Sequence, residues 1–320
     1  MIVLWLLGAI AALILLMLLT ALVCYLRVFY SPRRKPYAPD EYEIPEGDIY
    51  EPHREEMIGW MKTARKGPYK AFSIPSFDGL TLHAKYYECQ PGAPIEILFH
   101  GYRGNAERDL SGGIERCFTL GRNALIIDQR ACGDSAGHTI TFGVHERRDC
   151  LAWINFAIKQ FGEDIKLILT GVSMGAATVM MAAAEELPRN VIYVLADCGY
   201  TSAREIISKI IDEMHLPTKL LYPFVKLGAR LFGRFDLEET SPIEAMKKSR
   251  VPVIFIHGDT DAFVPHDMSL RLHEACVTHK KMVTIPGAGH GLAYPIDKQA
   301  YLRALSDFMA EVEAIRKTTA

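Results

Sequence analysis

Two pentapeptides in this chain of 320 residues carry the spacing Gly-x-Ser-x-Gly: GDSAG at residues 133–137 and GVSMG at residues 171–175. The spacing suits a nucleophilic serine held on a sharp turn between a strand and a helix. Flanking glycines permit the turn and the close packing behind it, and the helix N-terminus aims its spare N–H groups at the site. GVSMG has that context, with the strand-like IKLILT before it and the Ala- and Met-rich AATVMMAAAEEL after it. GDSAG is followed by HTITF, which is β-branched and runs into Gly143, so no helix starts there. Ser173 is therefore the candidate nucleophile, and Ser135 is expected to cap or brace a turn.

A serine hydroxyl attacks only after a base takes its proton, and the base needs a third group to orient it. His290 lies in PGAGHG, a Gly-rich loop directly after the apolar run KMVTI. HGDTDAFVP follows the run VPVIFI and places Asp259 and Asp261 at a strand's C-terminal end, where catalytic groups collect in an open α/β sheet. Either aspartate is a candidate acid on this ground. The chemistry that results is acyl transfer through a covalent acyl-enzyme. His100, beside a glycine at a strand end, reads as a structural hydrogen-bonding group. His257, Asp259, Asp261 and His266 can be drawn as a metal set, but they crowd ten residues of one strand and loop, with no helical His spacing and no Cys partner. No metal is expected.

These groups need a scaffold, and the chain supplies one. Short apolar runs recur as IEILFH, NALIID, IKLILT, VIYVLA, VPVIFIH and KMVTI, most of them separated by stretches with helical spacing such as ERRDCLAWINFAIKQF. Continuous apolar strands alternating with helices predict a mostly parallel sheet covered on both faces. AFSIPS and LTLHAKYYE flank Asp78 and Gly79, a hairpin signal that brings the chain into the sheet through an antiparallel pair. Within residues 201–249, AREIISKIIDEMHLP and KLLYPFVKLGARLFGRF read as two amphipathic helices forming a small cap over the sheet edge. Tyr222, Phe224, Phe232 and Phe235 read as packing within that cap, with a lining for an apolar acyl group as the sharper alternative. Cys89, Cys117, Cys150, Cys198 and Cys276 lie in or beside apolar segments and read as small core residues.

Residues 2–26 are uncharged and mostly Leu, Ile, Ala or Val, and these twenty-five residues exceed the roughly 20 a helix needs to cross a bilayer. A cleaved signal peptide is the competing reading, yet it would have a basic start and a shorter apolar core. Arg27, Arg33, Arg34 and Lys35 follow the span and nothing basic precedes it, which places the domain in the cytoplasm. Seven cysteines without a C-x-x-C pair agree with a reducing compartment. The Pro- and acid-rich SPRRKPYAPDEYEIPEGDIYEP reads as an extended tether, followed by a short helix over residues 54–66. Overall, 49% hydrophobic and 23% charged residues with a formal net charge of −2 describe an ordinary globular domain. Its scattered Lys and Arg offer no basic stripe, so nucleic acid is not an expected partner.

HGYRG at residues 100–104, DQRACGDSAG at residues 128–137, GVSMGA, GDTDAFVP and GAGHG span about 190 residues in one order. In that set the chain resembles the α/β-hydrolases, within the subgroup of serine-aminopeptidase-like hydrolases and esterases of the BEM46 type. The resemblance implies an α/β-hydrolase fold, a mostly parallel sheet with helices on both faces and a small helical cap, preceded here by one transmembrane helix. It implies a triad of Ser173, Asp261 and His290, because the family's acid sits three residues before the Val-Pro pair, and it leaves Asp259 to brace the loop. It also implies an oxyanion hole from the backbone N–H groups of Tyr102 and Met174, with no metal or organic cofactor. Cys132 departs from relatives, which often carry a His or a small residue there.

The expectation is a single-pass serine hydrolase, carboxylesterase-like, acting on a small-molecule acyl ester or thioester. A serine aminopeptidase-type peptidase is the alternative among enzymes, and a non-catalytic, membrane-tethered binding protein is the alternative outside them. The span would occupy residues 1–30, the tether residues 31–66, and the hydrolase domain residues 67–320 with the cap at residues 201–249. The oligomeric state is left open.

Overall fold

A computed structural model of the chain describes residues 1–33 and 38–319. Arg34 and Lys35, two of the basic residues after the apolar span, lie outside the described residues. The elements run α1 (Ile2–Val28), a 3-10 turn (Asp48–His53), α2 (Arg54–Lys66), β1 (Lys70–Pro75), β2 (Thr81–Tyr87), β3 (Ile95–Phe99), α3 (Ala106–Thr119), β4 (Asn123–Asp128), α4 (Glu146–Phe161), β5 (Leu167–Val172) and α5 (Met174–Ala182). They continue as β6 (Val191–Asp197), α6 (Ala203–Glu213), α7 (Thr218–Gly228), α8 (Pro242–Met246), β7 (Val253–Gly258), α9 (His266–Ala275), β8 (Lys280–Ile285), α10 (Ala293–Ile296) and α11 (Lys298–Thr319).

Eight strands form one sheet in the order β1-β2-β4-β3-β5-β6-β7-β8. The β1–β2 hairpin joins β4 antiparallel, and every pairing from β4 through β3 to β8 is parallel. On one face Ile97, Phe99, Leu169 and Phe255 pack under Trp153 of α4 and Val179 of α5. On the other, Leu98 and Ile126 meet Leu110 and Ile114 of α3, while Tyr193 and Ile254 meet Tyr301 and Phe308 of α11. Alternate strand residues point to opposite faces and both find apolar partners, which is why the strands read as unbroken apolar runs. Cys117, Cys150, Cys198 and Cys276 are buried, but Cys89 is exposed. The apolar run around Cys89 ends with β2, and the thiol sits in the turn beyond it, 3.8 Å from the carbonyl of Phe118.

Residues 2–19 of α1 are exposed along their whole length, whereas Ala21, Tyr25 and Phe29 are buried. These last turns pack on α7, and Gly228 lies so close that a Cβ there would come within 2.5 Å of the Ala21 carbonyl oxygen. Tyr25 and Phe29 share one apolar cluster with Tyr222, Val225 and Phe235 from the segment between β6 and β7. Beyond α1 the chain pairs with the HTITF stretch: Ser31 donates to the His138 carbonyl at 2.9 Å and Ile140 to the Phe29 carbonyl at 2.9 Å. The expected tether docks on the domain at Ile44 and Tyr50, while most of its other described residues are exposed. Its prolines prevent a long helix, but the apolar residues among them dock, so that Ile44 and Tyr50 are buried with Met61 of α2 and Leu292.

Candidate active site

β5 ends at Val172 and α5 starts at Met174, so Ser173 occupies the whole turn between them. Its φ of 56° and ψ of −115° are costly for a residue with a side chain. The surroundings impose that conformation. The Ser173 N–H is held by the Asp197 carbonyl at 2.8 Å. A Cβ on Gly175 would sit 2.0 Å from the Phe99 carbonyl oxygen, and one on Gly171 would sit 2.1 Å from the Gly175 carbonyl carbon. Only glycine at both positions lets helix and strand approach closely enough to force the serine outward.

The loop after β8 brings His290 to this turn, with Nε2 2.9 Å from Ser173 Oγ and Nδ1 2.7 Å from Asp261 Oδ2. Asp261 comes from the loop after β7, and its Oδ1 accepts the backbone N–H groups of Phe263 at 2.9 Å and Val264 at 2.8 Å. Burial pushes this carboxyl up, but hydrogen bonds from His257 and His290 outweigh it and hold the group well below the usual carboxylate range. An ionised Asp261 accepts Nδ1–H of His290 and leaves Nε2 as an acceptor for the serine hydroxyl.

His257 is the residue that reading the sequence missed. Its Nε2 lies 3.0 Å from Asp261 Oδ2 and 2.9 Å from the Val264 carbonyl, while Nδ1 lies 2.6 Å from the Ser269 hydroxyl. Two acceptors at Nε2 place the proton there, so His257 donates to Asp261 and fixes its orientation. The signal in the sequence is a histidine four residues before the acid at a strand end. Asp259 accepts the Gly287 N–H at 2.7 Å and braces the His290 loop, and His266 Nε2 lies 2.9 Å from the Thr284 hydroxyl. Cys198, Asp261 and His290 each bring one ligand atom within 4.8 Å of the others. They do not fit a cation: the carboxylate and imidazole are bonded to each other, and burial pushes the Cys198 thiol far above its ordinary value.

Ser135, the other serine, is buried and donates to the Asp128 carbonyl at 2.5 Å while accepting the His83 N–H at 2.8 Å, which ties β2 to β4. His100 accepts the Gln129 N–H at 3.0 Å and places Nδ1 2.7 Å from the Gly101 carbonyl, and so shapes the loop after β3. In that loop the Tyr102 hydroxyl donates to the Val28 carbonyl at 2.7 Å. Met174 opens α5, so its N–H is one that no helical carbonyl can take.

Ser173 and His290 line a cavity of about 220 Å³. Its roof comes from the N-terminal segment: Tyr50, Met57 and Trp60 line it, and no residue of 201–249 does. Tyr222, Phe224, Phe232 and Phe235 therefore do not form its wall. Tyr222 and Phe235 are occupied in packing against the end of α1.

A profile of the prolyl oligopeptidase family matches residues 139–314. The chain belongs to the prolyl oligopeptidase family. This family member is similar to the uncharacterized protein YqkD of Bacillus subtilis, 26% identical over 240 residues that cover 75% of this chain and 78% of YqkD. It is also similar to the protein bem46 of Schizosaccharomyces pombe, 25% identical over 251 residues covering 76% and 77%. Among solved structures it is similar to the esterase Pf2001 of Pyrococcus furiosus, with a TM-score of 0.62 at 20% identity over 86% of this chain and 99% of the esterase. The likeness shows an α/β-hydrolase fold, and fold and family together support hydrolase activity.

Proposed function

We propose that this prolyl oligopeptidase family member is a serine hydrolase that cleaves an acyl ester or thioester. The observation that carries the proposal is the pair of distances about His290, 2.9 Å to Ser173 Oγ and 2.7 Å to Asp261 Oδ2. Ser173 Oγ attacks the acyl carbon as its proton passes to His290 Nε2, and Asp261 stabilises the imidazolium. The N–H groups of Tyr102 and Met174 receive the negative oxygen, each donor contributing on the order of 3 kcal/mol in such sites. His290 returns the proton to the leaving group, and water then clears the acyl-enzyme by the same route. An alcohol or thiol leaves more readily than an amine, which favours ester and thioester over peptide. A binding protein without turnover would have no use for a serine held at this φ and ψ.

The test is fluorophosphonate labelling of the full chain in detergent. Labelling that disappears in Ser173→Ala supports the proposal, and labelling retained in that variant overturns it. The family gives the peptidase reading its weight, and faster turnover of aminoacyl p-nitroanilides than of p-nitrophenyl esters would favour that reading.

We read α1 as a retained membrane anchor, with the hydrolase on the cytoplasmic side. A cleaved leader is discarded, yet Ala21, Tyr25 and Phe29 fill part of the folded domain's core. The intact mass of protein from the membrane fraction tests retention, and protease added to intact cells tests the side.

A further inference from the structure

The cavity that holds Ser173 does not end at the hydroxyl. It runs down the α3 face of the sheet past Thr170 and reaches Arg116, Asp197 and Tyr294, residues 4%, 5% and 6% exposed. Each presents a buried polar atom without a hydrogen-bond partner in the protein: Arg116 Nε, Asp197 Oδ1 and the Tyr294 hydroxyl. Their remaining atoms are committed. Arg116 Nη2 donates to Glu96 Oε2 at 2.6 Å, and Asp197 Oδ2 accepts from the Tyr301 hydroxyl at 2.7 Å. The unmatched atoms are therefore held in place rather than free to turn away.

An unmatched buried polar group is costly, and three of them around one cavity point to a common ligand. Two adjacent glycines in the middle of α3, where glycine weakens a helix, let that helix pack closely against its neighbours beside the cavity. A Cβ on Gly112 would meet the Trp60 ring at 2.7 Å, and one on Gly113 would meet Leu98 at 2.5 Å. The charges nearby offset one another, with Arg116 and Arg122 beside Glu96 and Asp197. A carboxylate ligand would face Asp197 and an ammonium would face Arg116. A hydroxyl accepts from Arg116 Nε–H, donates to Asp197 Oδ1 and does either with Tyr294.

We propose that the floor of this cavity is a subsite for a neutral, hydroxyl-bearing part of the substrate, such as the polyol of an ester or a hydroxylated acyl chain. The proposal rests on the serine hydrolase reading of Ser173. Its test measures kcat/KM of the full chain in detergent on two matched pairs. Glycerol monobutyrate against propyl butyrate places hydroxyls on the alcohol side, and methyl 6-hydroxyhexanoate against methyl hexanoate places one on the acyl side. The expected result is a ten-fold or greater advantage for the hydroxylated member of at least one pair, and its fall to three-fold or less in Tyr294→Phe. Fluorophosphonate titration counts folded sites in both proteins, so a misfolded variant is recognised, and Asp197→Asn then serves as the second variant. An advantage below ten-fold in both pairs, or one that survives these substitutions in labelled protein, overturns the subsite while the hydrolase stands. A parent chain that is not labelled at Ser173 overturns both.

Discussion

Tyr50 donates its hydroxyl hydrogen bond to the backbone carbonyl of His290 at 3.0 Å, across 240 residues of sequence. The 3-10 turn that carries Tyr50 is thereby fastened to the loop that carries the proposed base. Together with Met57 and Trp60 it closes the cavity over Ser173. In this chain the segment between α1 and β1 is part of the candidate site.

Tyr50→Phe removes that bond and little else. One such hydrogen bond contributes about 1 kcal/mol net. If that is lost from positioning His290, kcat/KM falls roughly three- to ten-fold while Tm moves by a few degrees at most. Steady-state kinetics beside a thermal melt checks this, and unchanged kcat/KM would show the roof to be passive.

Ser135→Ala separates the two Gly-x-Ser-x-Gly motifs by stability. It leaves the Asp128 carbonyl and the His83 N–H unmatched inside the protein, a loss of about 1 to 3 kcal/mol. Urea unfolding is expected to show that loss, with fluorophosphonate labelling of the folded fraction intact.

The sheet and the geometry at Ser173 were legible in the sequence because both follow from local chemistry. A run such as VPVIFI has no polar residue to spare for solvent, and a serine between two glycines is read from the strand before it and the helix after it. The source of the roof was not legible. Tyr50 stands in an acid- and Pro-rich stretch whose composition resembles a linker, Met57 and Trp60 stand in the short helix after it, and the residues they share the cavity with lie far along the chain. The helices after β6 were readable as amphipathic, but an apolar stripe does not say what it covers, and here it covers the end of α1. His257 escaped because the partner that gives it a role is fixed by side-chain geometry.

His257→Leu tests the support of Asp261. Burial alone would push the Asp261 carboxyl up, and His257 supplies one of the hydrogen bonds that hold it down. Without that donor the carboxyl protonates at higher pH, so the acid limb of the kcat/KM profile moves to higher pH. At neutral pH kcat/KM falls about ten-fold, and the deficit grows as pH drops. A uniform deficit across pH would mean that His257 acts on shape alone.

Glu96 links the base of the cavity to acid stability. Burial raises its carboxyl, but Arg116 and Arg122 outweigh burial and bring it to about 2, against an ordinary value of 4.5. A carboxylate depressed in the folded state stabilises the fold above its unfolded pKa, and that contribution is lost as pH falls from 4.5 toward 2. Urea midpoints are expected to drop through this window by an amount worth up to roughly 3 kcal/mol. Glu96→Gln should be less stable than the parent at neutral pH and show a shallower fall below pH 4.5. Parallel curves for the two proteins would show that Glu96 does not carry the acid sensitivity.

Two truncations decide what the end of α1 contributes. Residues 2–19 are exposed and touch no core, so removing residues 1–20 should leave Tm and labelling of Ser173 close to those of the full chain. Removing residues 1–31 also takes Phe29, which meets Phe142 and Phe235 edge-on at centroid distances of 5.8 and 5.3 Å. It also takes the Val28 carbonyl that holds the Tyr102 hydroxyl at 2.7 Å. Losing a buried aromatic ring of this kind costs on the order of 3 to 5 kcal/mol, and the loop after β3 loses its tie as well. The shorter fragment should therefore melt lower and label more slowly than the longer one. If the two fragments match, the docked turns add nothing to the domain and α1 serves as a tether alone.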